Sequence, residues 1–426
     1  MKRFIRDILW LVFGIFFIIP LLFLFPIKWI KIYLRRKNSK PRLMFGSNPI
    51  ISNKYWSQAM VELGYDSKTV MKSLFSINIK EDYDIYYQNI SGFEHGTLLG
   101  DLFNPFVVQF YILFNYDIVH IPITGASEFG RTMYWKLESP LYKIYNIKVV
   151  SLPYGGDFYA YSRILDKSAA FVLNINYPQM AKKEKEIYKH VEYWVKNSDF
   201  FLPVFQLDGV GRFDALMFSY SMIDCNKWLK KEKYSMNDGR NGVVKIVHTP
   251  NHRGVKGSEF IIEAAARLKN EGYNIELILL EKVPNEKVKL FLQNEADILV
   301  EQIIITSYAM SGVEGMAAGL PVISNLTNNQ YCEVFNRYSY LKECPIVSAC
   351  PETIYEKLKI LITDPKLRAE IGKKSRKYVE KYHSYTTAQY FFPKVYDRIW
   401  FGKEVDFTGM FHPLNPNSYN NSYPNV

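Results

Sequence analysis

The chain has 426 residues, more than one ordinary hydrophobic core accommodates, so we expect two domains. Hydrophobic residues make up 48% and charged residues 22%, which excludes a disordered, collagen-like or disulfide-scaffold protein. The four cysteines lack CxxC spacing and paired histidines, so the sequence predicts neither a zinc site nor a disulfide framework, and it fits a reducing compartment.

The net charge of +11 is concentrated at the amino end. Residues 1–42 hold ten Lys and Arg against one acid, Asp7, which gives this segment a net charge of +9. The remaining 384 residues carry a net charge of only +2. A basic surface spread over the fold is therefore absent from the pattern, and we expect no nucleic-acid partner.

Residues 8–27 form an uninterrupted stretch of 20 uncharged residues, just long enough to cross a hydrocarbon core. The stretch is too long for the apolar part of a signal peptide, and no small-residue cleavage site follows it. We therefore predict a membrane anchor with a basic flank over residues 1–40. Seven basic residues follow the stretch and three precede it, so we expect a single anchor in the inner (cytoplasmic) membrane with the bulk of the chain in the cytoplasm.

Two prolines leave the geometry of this anchor open. A kink at Pro20, with Pro26 close behind, predicts a re-entrant or interfacial segment as the alternative to a spanning one. In either arrangement we expect Trp29, Tyr33 and the basic run at 35–37 to contact anionic headgroups.

After the anchor, strand-like and helix-like segments alternate, as is typical of α/β domains with parallel sheets. In the first half we predict strands at 42–45, 117–121 and 148–152, and a helix at 53–63. A polar, glycine-containing seam at 237–242 separates the halves. In the second half the predicted strands and helices are, in chain order, 243–247, 258–270 with Ser258 as its cap, 274–280, 285–294, 298–300, 320–324, 351–363 and 367–381.

These segments predict a division of the chain after the anchor. We expect one Rossmann-like domain over 41–236, a second over 243–381, a C-terminal helical segment over 382–412, and a disordered tail over 413–426. Two such domains enclose a cleft, and ligands bind at the carboxyl ends of its strands.

The loop at 248–257 follows a predicted strand and opens a predicted helix. Its glycines allow the backbone to approach a ligand, Arg253 and Lys256 supply positive charge, and the helix amino end supplies free N–H groups. The pattern favours a diphosphate, although a solvated surface turn would read similarly.

A second constellation occupies residues 311–323. It combines small residues, one carboxylate at Glu314 and a buried strand. Small side chains let a helix pack closely on a sheet, and the carboxylate can accept hydrogen bonds from vicinal sugar hydroxyls. The alternative is a glutamate that only stabilises a helix dipole.

At this point the sequence resembles a known family. Residues 312–323, Gly-Val-Glu-Gly-Met-Ala-Ala-Gly-Leu-Pro-Val-Ile, are similar to the signature of family 4 of the retaining glycosyltransferases, which have the GT-B fold. The stretches 248–272 and 296–302 resemble the phosphate loop and the strand leading into the nucleotide pocket. In the first half, the resemblance rests on residues 46–49, 116–120 and 154–157.

The resemblance implies an α/β fold of two doubly wound parallel-sheet domains, with the acceptor on the domain over 41–236 and the donor on the domain over 243–381. It implies a helix within 382–412 that crosses back to the first domain, and an enzyme of EC class 2.4 that uses a nucleotide-diphosphate sugar. It implies that Arg253 and Lys256 hold the diphosphate, that Glu314 accepts the ribose hydroxyls, that His120 faces the donor sugar and that Asp157 lines the acceptor side. It further assigns donor contacts to residues that share strand ends and helix starts: Gly46, Gly257, Gln302, Gly312 and Val313.

The resemblance also implies no metal and no cofactor, because the basic pair stabilises the leaving diphosphate. We expect the Asp82-Tyr83-Asp84 sequence to be a solvated segment. The expected acceptor is a lipid-linked or polysaccharide glycan, which an anchor brings close to the active site.

One position departs from the family pattern. The family often carries a second glutamate eight residues before Glu314, where this chain has Thr306, and Glu301 lies five residues earlier still. This departure motivates an alternative from another class, a non-catalytic GT-B-like protein that binds a nucleotide sugar or a partner at the membrane.

Overall fold

The computed structural model describes residues 2–34, 39–75, 77–155, 158–203, 208–412, 414–415 and 418–419. Within these ranges the chain forms two parallel β-sheets, each flanked by helices, and so confirms the predicted α/β architecture.

The first sheet has six strands in the order β3-β2-β1-β4-β5-β6. The strands are β1 (Leu43–Ser47), β2 (Ser67–Met71), β3 (Ile85–Tyr86), β4 (Ile118–Ile121), β5 (Lys148–Ser151) and β6 (Phe200–Phe201). The helices of this half are α1 (Lys2–Leu34), α2 (Ile51–Glu62), α3 (Tyr87–Ser91), α4 (Leu98–Asn115), α5 (Glu138–Ile144), α6 (Lys167–Asn176), α7 (Pro178–Ala181) and α8 (Glu184–Asn197). The strand order reverses between β1 and β4, which are neighbours in the sheet.

The second sheet has five strands in the order β11-β10-β9-β7-β8. The strands are β7 (Val244–His248), β8 (Ile275–Leu279), β9 (Ile298–Val300), β10 (Val322–Ser324) and β11 (Val347–Ser348). The helices are α9 (Arg253–Lys256), α10 (Ser258–Asn270), α11 (Asn285–Asn294), α12 (Met310–Ala317), α13 (Asn329–Tyr338), α14 (Ile354–Thr363), α15 (Pro365–Tyr382) and α16 (Tyr385–Ile399). Here the order reverses between β7 and β9.

Strands β1, β4 and β9 read as short, mostly apolar runs because every residue in them is buried. The helix at α10 is amphipathic: Ile261, Ala264, Ala265 and Leu268 are buried at helical spacing. The predicted cap of this helix is wrong, since Gly257 holds the capping position and the Ser258 hydroxyl bonds instead to His248.

The chain passes between the domains where residue Ile223 forms a parallel bridge with Ser384. The Ile223 amide donates to the His383 carbonyl at 2.7 Å, and Nδ1 of the His383 ring donates to the Ser221 carbonyl, also at 2.7 Å. The crossing therefore precedes the predicted seam at 237–242. That seam forms a turn on the second domain, where Arg368 donates to the carbonyl of Asn237.

Helix α16 packs against the first domain. The hydroxyl of Tyr385 donates to Gln58 on α2 at 2.7 Å, and the ring of Phe392 lies 5.6 Å from that of Phe45 on β1. Farther along the tail, Tyr419 is 1% exposed and its ring lies 4.8 Å from that of Tyr390. The predicted disorder is therefore wrong for Tyr419, while residues 413, 416–417 and 420–426 lie outside the described residues.

Candidate donor site

The two switch points place the predicted site residues at the carboxyl ends of neighbouring strands. In the first domain β1 ends at Ser47 and β4 at Ile121. In the second domain β7 ends at His248, and Glu301 with Gln302 directly follow β9. Parallel sheets bind ligands in the crevice outside such ends, at the point where strand order reverses.

The buried ring of His248 fixes the start of the basic loop. Its Nδ1 lies 2.7 Å from Val300 O on β9, and its Nε2 lies 2.7 Å from the Ser258 hydroxyl on α10. Burial lowers the pKa of His248 to about 4, and the charge of Lys256 adds to this, against the hydrogen bond at Val300. The neutral ring therefore connects the end of β7 to β9 and to α10.

The two basic side chains of the loop have different surroundings. Arg253 is on the surface, and its guanidinium binds Glu281 through two bonds of 2.9 and 3.1 Å and Glu259 through one of 3.1 Å. Lys256 is buried, with its Nζ 3.1 Å from Glu301 Oε1 and 2.7 Å from Gln302 Oε1. Gly257 has a left-handed backbone, φ +79°, and a Cβ there would lie 2.7 Å from Ile303 Cγ1.

Glu301 connects this loop to the small-residue helix α12. Its carboxylate accepts the Ala309 amide at 2.9 and 3.1 Å and the Ser311 hydroxyl at 3.2 Å, so it occupies the amino end of α12. The sequence places Glu301 five residues before Thr306, which holds the position of the family's first glutamate, so Glu301 could take that place only through a rearranged loop. In the structure the loop at 301–309 folds back and brings the Glu301 side chain to the start of α12.

Close packing explains the small residues of α12. A Cβ on Gly312 would lie 2.6 Å from Glu301 Oε2, and a Cβ on Gly315 would lie 2.3 Å from Leu299 Cδ2. Val313 beside them is completely buried. The glycines therefore let α12 approach β9 and the Glu301 carboxylate closely enough for its amino end to be capped.

Glu314 is the buried carboxyl of this helix. Its Oε1 accepts a hydrogen bond of 2.7 Å from Asn285, the first residue of α11. Burial raises the pKa of Glu314 to about 7, Glu301 adds to that rise, and the Asn285 hydrogen bond opposes it. Lys256 and Gly312 thus lie against one carboxylate, Glu301, which sequence reasoning did not select. Gln302 binds the same ammonium, and Val313 and Glu314 follow Gly312 on α12.

His120 does not face an open cleft. Its ring is 1% exposed and stacks on Phe45 at 3.8 Å; Nδ1 lies 3.0 Å from Met44 O and Nε2 lies 3.0 Å from the Tyr396 hydroxyl. Burial lowers the pKa of His120 to about 3, against the hydrogen bond at Met44. The role predicted for His120 at the donor sugar does not fit this arrangement, since both ring nitrogens already bind α16 and β1.

Two further site residues were predicted in the first domain, Gly46 and Asp157. Gly46 lies in β1, where a Cβ would come within 2.2 Å of Val70 O, so strand packing already requires glycine there. Asp157 lies outside the described residues. Next to Gly46, the Ser47 hydroxyl donates to Gly125 O at 3.0 Å and so connects β1 to the loop after β4.

The aspartates of the Asp82-Tyr83-Asp84 sequence take part in local structure. Asp82 binds Lys54 at 2.5 Å, and Asp84 accepts the Thr69 amide and hydroxyl, both at 2.9 Å. In the described part of the chain, the structure brings together no group of three or more His, Cys, Asp or Glu that could hold a metal ion.

A helix of the first domain covers the basic loop of the second. The side chain of Asn176 on α6 would lie 2.4 Å from a Cβ on Gly254, and the Tyr177 ring contacts the His252 ring with centroids 4.7 Å apart. Val172 and Leu173 pack in one cluster with Val255. In this structure the cleft is therefore closed over the loop at 252–256.

Comparison with known proteins assigns a class to the second domain. Residues 263–378 match the family model described as "Glycosyl transferases group 1". No curated protein sequence matches the chain.

Solved structures with similar folds cover most of the chain. Sucrose-phosphate synthase from Thermosynechococcus elongatus aligns with 85% of this chain and 100% of its own, at 12% identity and a TM-score of 0.55. WaaG, a glycosyltransferase involved in lipopolysaccharide biosynthesis, aligns with 84% of this chain and 99% of its own, at 12% identity and a TM-score of 0.43. The first likeness shows the GT-B fold, and the matched group 1 segment on that fold supports a glycosyltransferase of EC class 2.4.

Proposed function

We propose that this protein is a membrane-associated glycosyltransferase. It transfers a sugar from a nucleotide-diphosphate donor to a lipid-linked or polysaccharide acceptor, with retention of the anomeric configuration. The observation that carries the proposal is the buried cluster at the ends of β7 and β9. There Lys256 pairs with Glu301 beside Glu314, at the amino end of a close-packed helix within the matched segment.

The cluster suits a donor with a diphosphate. The positive charge of Lys256 stands next to the amino end of α12, and both favour developing negative charge on a leaving diphosphate. Arg253 adds a guanidinium whose bidentate partner, Glu281, is replaceable by a phosphate of the same fork geometry. No metal enters this scheme.

Glu314 suits the ribose end of the donor. When ionised, its carboxylate can accept two hydrogen bonds from vicinal hydroxyls, and Asn285 holds it in place. Because burial raises the pKa of Glu314 to about 7, its ionisation falls in the physiological range. A donor that supplies hydroxyl donors to this carboxylate stabilises its charged form.

Donor entry requires the cover over the basic loop to move. Helix α6 rests on α9 through Asn176 and Val172, and the domains meet at Ile223 and Ser384. We assign α6 to a closing movement that excludes water from the reacting groups once the donor is bound.

The test is a donor screen on the full chain. Thermal unfolding is followed with UDP, GDP and their common sugars, and binding raises the midpoint by mass action. We expect one nucleotide to raise it and the rise to disappear in Lys256→Ala. The control is Lys245→Ala, which removes a lysine paired with Glu295 on the surface of the same domain.

The readout is the ligand-induced rise, because Lys256→Ala also alters the stability of the free protein. A rise that survives in Lys256→Ala, or no rise with any nucleotide, contradicts the donor site. Turnover is then measured with the selected donor and membrane lipid extract, and the anomeric configuration of the product is read by NMR. Binding without turnover of any acceptor supports the non-catalytic alternative.

A further inference from the structure

Helix α1 is apolar on all sides, yet its two faces have different surroundings. Trp10, Gly14, Leu21 and Lys28, spaced at multiples of about one helical turn, are buried against the first domain. On the other side, Phe16 is 74% exposed and Phe23 is 76% exposed. One face is therefore part of the domain core, and the other lies open.

Contacts hold α1 to the domain along most of its length. Near its first third, the Phe13 ring lies 5.1 Å from Phe103 and the Phe17 ring 5.3 Å from Phe106, both residues of α4. The Tyr134 hydroxyl donates to Leu11 O at 2.8 Å. The aromatic residues of α1 thus extend the core of the first sheet outward.

Farther along, polar groups of the domain also reach the helix. The Tyr145 hydroxyl donates to Leu21 O at 2.9 Å, and the Trp29 indole donates to Ile144 O at 2.7 Å. The contacts at Leu11 and Trp29 are 18 residues apart, about 27 Å along a helix axis. This distance is close to the thickness of the hydrocarbon core, roughly 30 Å.

The charged residue at the end of the apolar stretch is also held by the domain. Lys28 is completely buried; its Nζ lies 3.1 Å from Asp117 Oδ1 and 2.5 Å from Tyr116 O. A lysine that anchors a spanning helix instead extends its ammonium toward the headgroups. The position of Lys28 therefore fixes α1 to the start of β4, a central strand of the first sheet.

These contacts are incompatible with a spanning α1. If residues 11–29 crossed the bilayer, the turn at Tyr134 and the carboxyl end of α5 at Ile144 would enter the hydrocarbon with them, where their backbone polar groups could not be satisfied. We propose that α1 lies in the plane of the membrane as a built-in element of the first domain, with its open face in the interface of an anionic bilayer. This deepens the proposed function and rests on it, since it brings the acceptor half of the cleft to the lipid surface.

The exposed apolar surface extends beyond α1. The segments that hold α1 also expose Leu98 and Leu99 at the start of α4, and Met133 and Leu137 beside Tyr134. Apolar patches of this kind mark interaction sites, and an in-plane helix buries such a face about 5–10 Å deep in the headgroup region.

Charge selects an anionic bilayer over a second copy of the chain. Residues 1–42 carry a net charge of +9, with basic residues at both ends of the apolar stretch. Two copies meeting through this face would bring two such segments together, whereas anionic headgroups neutralise them at about 1 kcal/mol per basic residue near the surface.

The depth of α1 tests the proposal on the full chain. Phe16→Cys and Phe23→Cys are labelled with a fluorophore and bound to vesicles of phosphatidylcholine and phosphatidylglycerol that contain a nitroxide lipid at a shallow or a deep position. Ile360→Cys, an exposed position on α14 of the second domain, is the control, and the unmodified chain gives the background from the native cysteines. We expect both α1 positions to be quenched more strongly by the shallow nitroxide, and the control by neither.

Four other results would overturn it. Stronger quenching of position 16 by the deep nitroxide indicates a spanning helix, and no quenching at either position leaves the face off the membrane. Equal vesicle binding with and without phosphatidylglycerol, insensitive to salt, contradicts the anionic partner, as does a salt-sensitive dimer without lipid binding. Donor binding measured on the same samples reports the proposed function separately, so either can fail alone.

Discussion

The ammonium of Lys28 lies 3.1 Å from Oδ1 of Asp117, and both side chains are completely shielded from solvent. Arg42, just before β1, binds the same carboxylate through its guanidinium at 3.1 and 3.2 Å and its amide at 2.9 Å. Burial alone would raise the pKa of Asp117, but the hydrogen bond from Arg42 and the charge of Lys28 outweigh burial and hold it below its ordinary value. One carboxylate thus joins the amino-terminal helix to two central strands.

Lys28→Met should destabilise the first domain by about 3 kcal/mol, because it removes one partner of a buried ion pair. Urea unfolding of the full chain in detergent, followed by tryptophan fluorescence, measures the loss. Lys31→Met, an exposed lysine on the same helix, should change stability by less than about 0.5 kcal/mol. Equal effects of the two substitutions contradict a docked α1.

The raised pKa of Glu314 predicts a specific pH dependence. Since the folded pKa of about 7 exceeds the ordinary 4.5, the stability that this carboxyl contributes is present below pH 4.5 and is lost as the pH rises to 7. Over that pH window, the stability of the Glu314→Gln variant should depend less on pH than the stability of the parent chain. Donor affinity should increase from pH 6 to 8 in the parent chain, and this increase should vanish in the variant.

Glu138 supplies a matched control for that experiment. It is also buried, its pKa is likewise raised to about 7 by burial, and it binds Ala126 and Tyr142 in the first domain. Glu138→Gln should change the pH dependence of stability in the same window but leave that of donor affinity unchanged. Calorimetric titration with the selected nucleotide measures donor affinity in Glu314→Gln and Glu138→Gln. If the rise in affinity from pH 6 to 8 is lost in both variants, Glu314 is not the ribose contact.

Arg253→Ala and Lys256→Ala should have different effects on stability but similar effects on donor affinity. Arg253 forms exposed ion pairs, so its removal should leave the unfolding midpoint unchanged. Removal of Lys256 leaves Glu301 buried without its cation and should cost about 3 kcal/mol. Both should weaken nucleotide binding at least tenfold by calorimetry, and an Arg253→Ala variant of unaltered affinity would exclude Arg253 from the diphosphate contact.

Tyr396→Phe tests whether His120 is a structural residue. The change leaves the buried His120 Nε2 without its hydroxyl partner and should lower stability by about 1–3 kcal/mol. Turnover at saturating donor, measured at a temperature where the variant stays folded, should be unchanged. A loss of turnover much larger than the loss of folded protein would instead indicate that His120 takes part in the reaction.

Gly315→Ala tests the packing of α12. The added methyl group would lie 2.3 Å from Leu299 Cδ2, so the helix must shift, at a cost of about 1–3 kcal/mol. Gly211→Ala, where a Cβ would meet nothing within 4 Å, is the matched control and should be neutral. Thermal unfolding of both variants gives the comparison; equal midpoints would mean that α12 tolerates a wider spacing.

Most elements of the fold are predictable from the sequence because apolar runs and helix-ending residues coincide. Two predicted helices and one predicted strand have the predicted bounds in the structure: 258–270, 285–294 and 298–300. The strand predicted at 243–247 is displaced by one residue. Local patterns suffice here, since each element is specified by its own burial and its own ends.

The candidate site is less predictable because it depends on a loop path and on tertiary contacts. Glu301 reaches the amino end of α12 only through the fold-back of residues 302–309, which no spacing rule encodes. His120 looks like a ligand-facing residue by motif, yet Tyr396, 276 residues away, takes its free nitrogen. The docking of α1 is hidden for a different reason: both of its faces are apolar, so hydropathy cannot tell the buried face from the open one.

The docking of α1 also has a consequence for the order of synthesis. Helix α1 leaves the ribosome before its partners: Tyr116, which binds Lys28, is made 88 residues later, and Tyr145, which binds Leu21, is made 124 residues later. At about 5–20 residues per second, the first of these partners follows after roughly 4 to 18 s. During that interval the face of α1 that later packs into the first domain exposes its apolar surface, so the helix needs another apolar cover before its own domain exists.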